Sequence, residues 1–427
     1  MVQPSGREAK LTLTWAGARR LATFTLPMAL LTIASLLIVP ALIKADGGAA
    51  WGSIALGQSL GTIGSVVVAY GWQTSGPALV AMGDTRTRRT VFFDSVRLRL
   101  ALYLPVAAAS GALAAGFAHQ RTDLAVAGAV TTVGIGLTSG WFFVGMAQPS
   151  GLLWFETVPR VTGTAAGIGW MYAGGSALEG LLCQFGGMLL AAAVSCVAVH
   201  RATRSGSPAT RSTLRQVARA HRHGLGATVT TNVSAAAPLV LVSLIAPSLQ
   251  PAYALIDKLQ RQITVGLTPL NSLLQGWVPR GPTPFARIAS ASKLIASMAV
   301  PLLGGVTVAM PFLVRWLGNS QISVSPWVYP LAGSIVALAF TQLCLSNAVL
   351  STLQRLDTVS RATAVGAVVG LPLTALGATI SIEATLGGVV AGLVVRVTMS
   401  SIAVRRELRR NALRAEAAAT PERIPQP

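Results

Sequence analysis

Acidic residues are scarce: 13 Asp and Glu stand against 33 Lys and Arg in 427 residues, and charged residues of both signs make up only 11%. So little charge, beside 52% hydrophobic residues and a mean hydropathy of +0.61, excludes a soluble globular domain. Cysteine is almost missing. Cys183, Cys196 and Cys344 are odd in number, lie in apolar stretches and show no CxxC spacing, which argues against a disulfide framework or thiolate metal site and for small buried apolar residues. His119, His200, His221 and His223 sit at the ends of apolar stretches and form no metal constellation. No GxxxxGK loop is present, which excludes ATP-driven transport by this chain alone. Neither paired carboxylates nor a long external loop is available for catalysis, so no enzymatic activity, cofactor or metal is expected.

What remains is apolar sequence in long runs. A window of about 19 residues marks spans at 20–43, 49–71, 98–119, 124–146, 158–174, 177–199, 224–246, 251–278, 294–316, 327–350, 359–380 and 382–404. These predict an all-α polytopic membrane protein of twelve transmembrane helices. The first run follows basic residues but has no small-residue cleavage site, so it is read as a retained span. Basic residues collect in alternate loops: before the first span, after the second (Arg86, Arg88, Arg89, Arg97, Arg99), after the sixth, after the eighth (Arg280, Arg287, Lys293) and after the last. The other loops hold only Lys44, Arg121 and Arg315. A net charge of +20 therefore reports topology, with both termini cytoplasmic, and no nucleic-acid partner is implied.

The basic stretch 200–223 divides the chain into a six-helix lobe at 1–199 and a second at 224–404, followed by a basic tail at 405–427 that is expected to be disordered. Short motifs recur at close to half the chain length. Gly71-Trp72 and Gly76-Pro77 match Gly276-Trp277 and Gly281-Pro282, and Glu156-Thr157-Val158-Pro159-Arg160 matches Asp357-Thr358-Val359-Ser360-Arg361. Six helices per half is an even number, so the halves share an orientation and are related by an axis along the membrane normal. Gly57, Gly61 and Gly64 give the second span a small-residue face on which another backbone can approach closely.

The eighth span carries the chemistry. At 100° per residue Tyr253, Asp257, Arg261, Thr264, Thr268, Asn271 and Gln275 fall on one arc, opposite Ile256, Leu259, Ile263, Leu267, Leu270 and Leu274. A charge at the centre of a membrane helix costs roughly 2.5 to 3.5 kcal/mol, so such a stripe belongs in a water-filled cavity or the bundle interior. Asp257 is either a counter-ion of Arg261 or Lys258, or a titrating group; spacing does not separate the two. Gln58 and Thr62 give the second span an uncharged polar face. Glu179 and Arg396 are further candidates for coupling or gating. The turn residues Glu156, Arg160, Asp357 and Arg361 suit either a gating network or helix capping.

The run Trp51 to Pro77, WGSIALGQSLGTIGSVVVAYGWQTSGP, with Trp141-Phe142-Phe143-Val144-Gly145 and Pro159-Arg160, resembles the O-antigen and exopolysaccharide flippases. These are the lipid-linked oligosaccharide transporters of the multidrug/oligosaccharidyl-lipid/polysaccharide superfamily. The resemblance implies a V-shaped pair of lobes around a cavity that takes the headgroup of a polyprenyl-pyrophosphate-linked oligosaccharide and carries it outward by alternating access, in the cytoplasmic (inner) membrane of a bacterium. Partners would be the bilayer and polysaccharide polymerase and ligase machinery. It also implies pyrophosphate contacts from Arg19 and Arg20 in the first helix and Lys258 and Arg261 in the eighth. Guanidinium and ammonium groups suit an anion with several strong acceptors. Thr264, Thr268, Asn271, Gln275, Gln58 and Thr62 would then meet sugar hydroxyls.

The rival reading is a small-molecule secondary transporter, either a drug or cation antiporter or a major facilitator. In the loop Gly83-Asp84-Thr85-Arg86-Thr87-Arg88-Arg89 only the aspartate and the arginine pair fit the facilitator signature. A cationic drug would want an acidic cavity, and the charges here are basic.

Overall fold

A computed structural model of the protein describes residues 15–203, 213–221, 225–280, 285 and 287–419, and these are helical nearly throughout, with no strand among them. In the first half, α1 (Trp15–Ala69) is followed by α2 (Trp72–Met82), α3 (Thr85–Phe117), α4 (Thr122–Val133), the short α5 (Gly140–Gly145) and α6 (Pro149–Gly151), then α7 (Val158–Tyr172) and α8 (Ala177–Ala202). A linker helix α9 (Leu214–His221) leads to the second half: α10 (Leu225–Ile245), α11 (Gln250–Gly266), α12 (Thr268–Trp277), α13 (Ile288–Leu317), α14 (Val328–Cys344), α15 (Leu356–Ala378) and α16 (Ile382–Ala419).

The molecule is a polytopic all-α membrane protein. Eight helical stretches among the described residues are long and apolar enough to cross a membrane. The first of them, Thr25–Met82, takes in α2 and most of α1, and α1 breaks at Gly47, whose φ of 86° and ψ of 173° are open to glycine and costly for other residues, so α1 holds two rods. The other expected spans are α7, which has 15 residues, α10, and the α11–α12 pair, which is charged and broken. Some boundaries differ from the sequence reading. Arg86, Arg88, Arg89, Arg97 and Arg99, read as a loop, form the first part of α3. α16 runs as helix beyond 404 to Ala419, tied back by Glu407, which pairs with Arg355 at 2.6 Å; residues 420–427 lie outside the described residues.

Small residues bring the rods together. A Cβ on Gly57 would run into the Ala125 carbonyl, and one on Gly61 would lie 2.8 Å from the Thr132 Cβ and also meet the Ala129 carbonyl, so α1 and α4 touch backbone to backbone. The recurrent aromatic and glycine motif is a packing device as well. Trp72 and Trp141 have ring centroids 5.5 Å apart, and Gly145 faces the Pro77 backbone, where an added Cβ would come within 2.7 Å of its carbonyl oxygen.

The apolar clusters show how the halves meet. The largest joins Ile43, Trp51 and Ile54 of α1 to Leu239, Ile256 and Leu317 of the second half, and it gathers at the end away from the basic loops. At the basic end the clusters are separate. One contains Trp72, Phe92, Trp141 and Val217 of the linker helix; the other contains Leu274, Ile288, Phe340 and Val349. Two lobes sealed together at one end and apart at the other enclose a V.

Candidate functional site

The walls of that V are set by α1 and α11, which pack on each other. Gln250, at the start of α11, donates to the Gly52 carbonyl at 2.8 Å, and Gln262, three turns on, donates to the Ser35 hydroxyl at 3.1 Å. Between these two ties α11 turns Asp257, Lys258 and Arg261 into the interior, each partly buried. Arg261 Nε donates to Asp257 Oδ2 at 2.7 Å and its Nη2 donates to the Ala235 carbonyl of α10 at 2.6 Å. The i,i+4 spacing makes this contact one turn of helix, and the Ala235 bond fixes the guanidinium plane.

Two cavities meet this stretch from the α1 side. The larger, about 310 Å³, is bounded by Gln58, Thr62, Gln184 and Arg160 of the first half and by Lys258, Arg261 and Gln262 of the second. A smaller one of about 80 Å³ continues it past Trp51 and Ser59 to Asp257. Among the described residues three cations therefore face the combined space and one carboxylate, Asp257, answers them. Arg160 leans on Glu156 at 3.6 Å, but Glu156 is behind it, 2% exposed, with Oε2 accepting from the Ser139 N–H at 3.1 Å. Arg160 thus shows a guanidinium to the cavity while its counter-charge stays in the lobe. The matching turn of the second half makes the same i,i+4 contact, Arg361 to Asp357 at 2.5 Å, on the surface.

The structure brings Lys258, Arg261, Gln58 and Thr62 to one cavity. The lower part of the stripe goes elsewhere. α11 ends at Gly266 and α12 restarts at Thr268, because Pro269 in the first turn of α12 supplies no N–H to continue the ladder. The change of direction takes Thr268 and Gln275 to exposed positions and buries Asn271, and none of the three lines these cavities. Thr264 bonds the Gln260 carbonyl at 2.8 Å and borders a different cavity in the second half, with Arg396. Glu179 lines neither cavity: it is exposed in the first turn of α8, where it completes a capping box with Ser176 and accepts from Trp170 Nε1 at 3.0 Å. The backbone of Arg19 and Arg20 belongs to α1, and their side chains lie outside the described residues.

Sequence reasoning missed Arg160, Gln184 and Gln262 as cavity residues. Gln262 stands beside Arg261 and was hidden by a stripe drawn too narrowly. Arg160 was assigned to a turn, although it follows Pro159 into α7 and is a helix residue. Gln184, in the middle of an apolar span with no charge near it, was a legible signal, and it lies 3.5 Å from the Thr164 hydroxyl.

No protein-family profile and no curated protein matches the chain. Solved structures do. The chain is similar to an inward-facing multidrug resistance MATE family transporter of the MOP superfamily, at 12% identity over 91% of this chain and 98% of that one, with a TM-score of 0.65. It is similar to the eukaryotic MATE transporter AtDTX14 at 13% identity, 93% and 98% coverage and a TM-score of 0.58. It is similar to a MATE protein in complex with MaL6 at 15% identity, 92% and 96% coverage and a TM-score of 0.55. The fold is that of the MATE transporters.

Proposed function

We propose that the protein is an alternating-access flippase that moves a polyprenyl-pyrophosphate-linked oligosaccharide from the cytoplasmic to the outer leaflet during cell-surface polysaccharide biosynthesis. The observation that carries the reading is the charge that the described residues give the cavity between the lobes: Arg160, Lys258 and Arg261 against Asp257, interleaved with Gln58, Thr62, Gln184 and Gln262. A cationic wall with amide and hydroxyl groups supplies what a pyrophosphate joined to sugar needs, charge-assisted donors for the phosphate oxygens and reversible donors and acceptors for hydroxyls. Lys258 and Arg261 hold the pyrophosphate, with Arg160 opposite. Asp257 keeps Arg261 in place in the empty cavity and releases it to substrate. The protein then sits in the cytoplasmic membrane with both termini cytoplasmic, receiving its substrate there and passing it to polymerase and ligase machinery outside.

A second reading, a small-molecule transporter, is favoured by one observation, the likeness in fold to multidrug MATE transporters. The two readings part over charge. Lys258 is the cleanest probe, since it takes part in none of the ion pairs among the described residues and its loss leaves no carboxylate stranded. In proteoliposomes the parental protein is expected to flip a polyprenyl-pyrophosphate-linked saccharide, and Lys258→Met to lower the rate by about tenfold or more. Export of a lipophilic cation that is unchanged or faster in Lys258→Met, with no saccharide flipping by either protein, would give the drug-transporter reading instead.

A further inference from the structure

In the first half α3 and α8 lie side by side, joined by ring contacts at two levels. Near the basic end Phe93 and His200 have centroids 6.2 Å apart, and below them Arg89 Nη1 donates to the Thr203 carbonyl at 3.2 Å. Ten residues farther along α3, about 15 Å of helix, Tyr103 stacks on Phe185. Between the two levels the helices part around a cavity of about 240 Å³. Its walls are Val96 and Leu100 of α3, Leu189 and Ala193 of α8, and Leu137 of the turn between α4 and α5. The surface is almost wholly apolar, because the polar groups behind it are spent inside the lobe: Arg99 on the Ser95 and Thr138 carbonyls, and the Ser139 N–H on Glu156. Leu100, Leu189 and Ala193 are exposed on helices long and apolar enough to span a membrane, so the cavity opens sideways to the bilayer.

Hydrocarbon walls facing lipid offer nothing to water and suit an acyl chain. The mouth is different at the basic end. Arg97 lies one turn beyond Phe93, and its side chain leans back along α3 toward the basic end, where that helix starts. His200 lies one turn beyond the cavity residue Cys196, and its side chain leans back along α8 toward the cavity. The two therefore reach the mouth from opposite directions. Arg97 is 45% exposed and held loosely, by Asp94 at 3.4 Å, and His200 is exposed. A guanidinium and an imidazole at the lip of an apolar slot match a phosphate ester that carries a hydrocarbon chain. We infer that this cavity binds a phospholipid of the leaflet at the basic end, with its phosphate at Arg97 and His200 and one acyl chain along Leu100, Leu137 and Leu189. The bound lipid fills the gap between α3 and α8 and braces the first lobe. The inference goes beyond the substrate reading and does not depend on it, since none of these residues borders the cavities along α11.

The test is native mass spectrometry of the full-length protein, stripped of lipid in a neutral maltoside and titrated with dioleoyl phosphatidylglycerol, dioleoylglycerol or glycerol 3-phosphate. Phosphatidylglycerol is expected to bind at least about tenfold tighter than either of the others, which separates a lipid-borne phosphate from the chains alone and from free phosphate. Ala193→Trp, at an exposed position, puts an indole into the slot and is expected to weaken phosphatidylglycerol by about tenfold or more. The double variant Arg97→Gln with His200→Gln should lose about as much. Arg201→Gln is the control: Arg201 is exposed at the same end but turned about 100° from His200 around α8, and its loss should leave the affinity unchanged. Phosphatidylglycerol should raise the melting temperature of the parent and not that of Ala193→Trp. Parental affinity in Ala193→Trp or in the double variant would overturn the proposal. So would a loss in Arg201→Gln as large as in the double variant, which would mean diffuse attraction to a basic surface. Dioleoylglycerol or glycerol 3-phosphate binding as tightly as phosphatidylglycerol, or no binding to the parent, would overturn it as well.

Discussion

Three arginines in this molecule share a side chain and little else. Arg99 is 1% exposed in α3, and it spends its donors inside the lobe: Nη1 on the Thr138 carbonyl at 2.6 Å, Nη2 on Ser95 Oγ at 3.1 Å and Nε on the Ser95 carbonyl at 3.2 Å, with the plane 5.9 Å from the Trp141 ring. It ties α3 to the irregular turn that joins α4 to α5, where the Thr138 carbonyl has left the helical ladder. Removing it strands those acceptors, so Arg99→Met is expected to cost about 3 kcal/mol of stability, read as a lower melting temperature of the detergent-solubilised protein. Arg99→Lys, a point donor that cannot span both Ser95 and Thr138, should fall between the two. Arg261 is different. It is 37% exposed and its partner Asp257 19%, so solvent screens the pair and the two act together without being buried together. A double-mutant cycle of Asp257→Ala and Arg261→Ala on melting is expected to return a coupling of about 1 kcal/mol or less. A coupling of several kcal/mol would mean a closed, dry cavity. Nothing in residue type separates these two from Arg396; in the sequence all three are arginines near the end or middle of an apolar run, and only the depth of the helix and the identity of the facing backbone give each its role.

At the level of helices, the rods were legible because apolar runs, loop charges and small-residue faces are local signals. The direction of each rod was not. Drawing the eighth span as one straight helix put Thr264, Thr268, Asn271 and Gln275 on a single line, whereas Pro269 ends α11 and sends α12 off its axis, so the arc holds for about three turns and then loses its meaning. Lys258 shows the same limit. It falls outside the arc yet faces the central cavity, since a helix bordered by cavities on two sides presents a wider polar sector than one bordered on a single side. The glycines were read from spacing alone and the structure gives them a contact to test. Gly57→Ala pushes a methyl into the Ala125 carbonyl on α4, where two backbones must separate for it to fit, and it is expected to destabilise by about 1 to 3 kcal/mol. Gly304→Ala, with open space around the new methyl, is expected to leave the melting temperature unchanged or slightly raised, since alanine favours helix. Comparable losses in both variants would assign the effect to helix propensity and remove the close approach of α1 and α4 from the explanation.

Over the whole molecule, the decisive feature is the asymmetry of the apolar clusters. One cluster spans both halves at the end bearing the short loops, and two separate clusters hold each half at the end bearing the basic ones. The alternating access proposed above would require the shared cluster to part while the separate ones stay whole, each lobe moving as a body. Besides the apolar cluster itself, the contacts that would have to break among the described residues include Gln250 to the Gly52 carbonyl, Gln262 to Ser35, and Gly52 against Pro251, where a Cβ would lie 3.2 Å from the ring. Cysteine chemistry can hold this seam shut, because the chain has only Cys183, Cys196 and Cys344, all free and replaceable by serine or alanine. In that background Gly52→Cys with Pro251→Cys is expected to cross-link under mild oxidant, verified by peptide mapping, and to stop substrate movement until a reductant restores it. The single-cysteine proteins should respond to neither reagent. Transport that continues with the seam cross-linked would mean that substrate passes without the lobes separating, and the cationic cavity would have to be reached along the lipid face of one lobe rather than through the V.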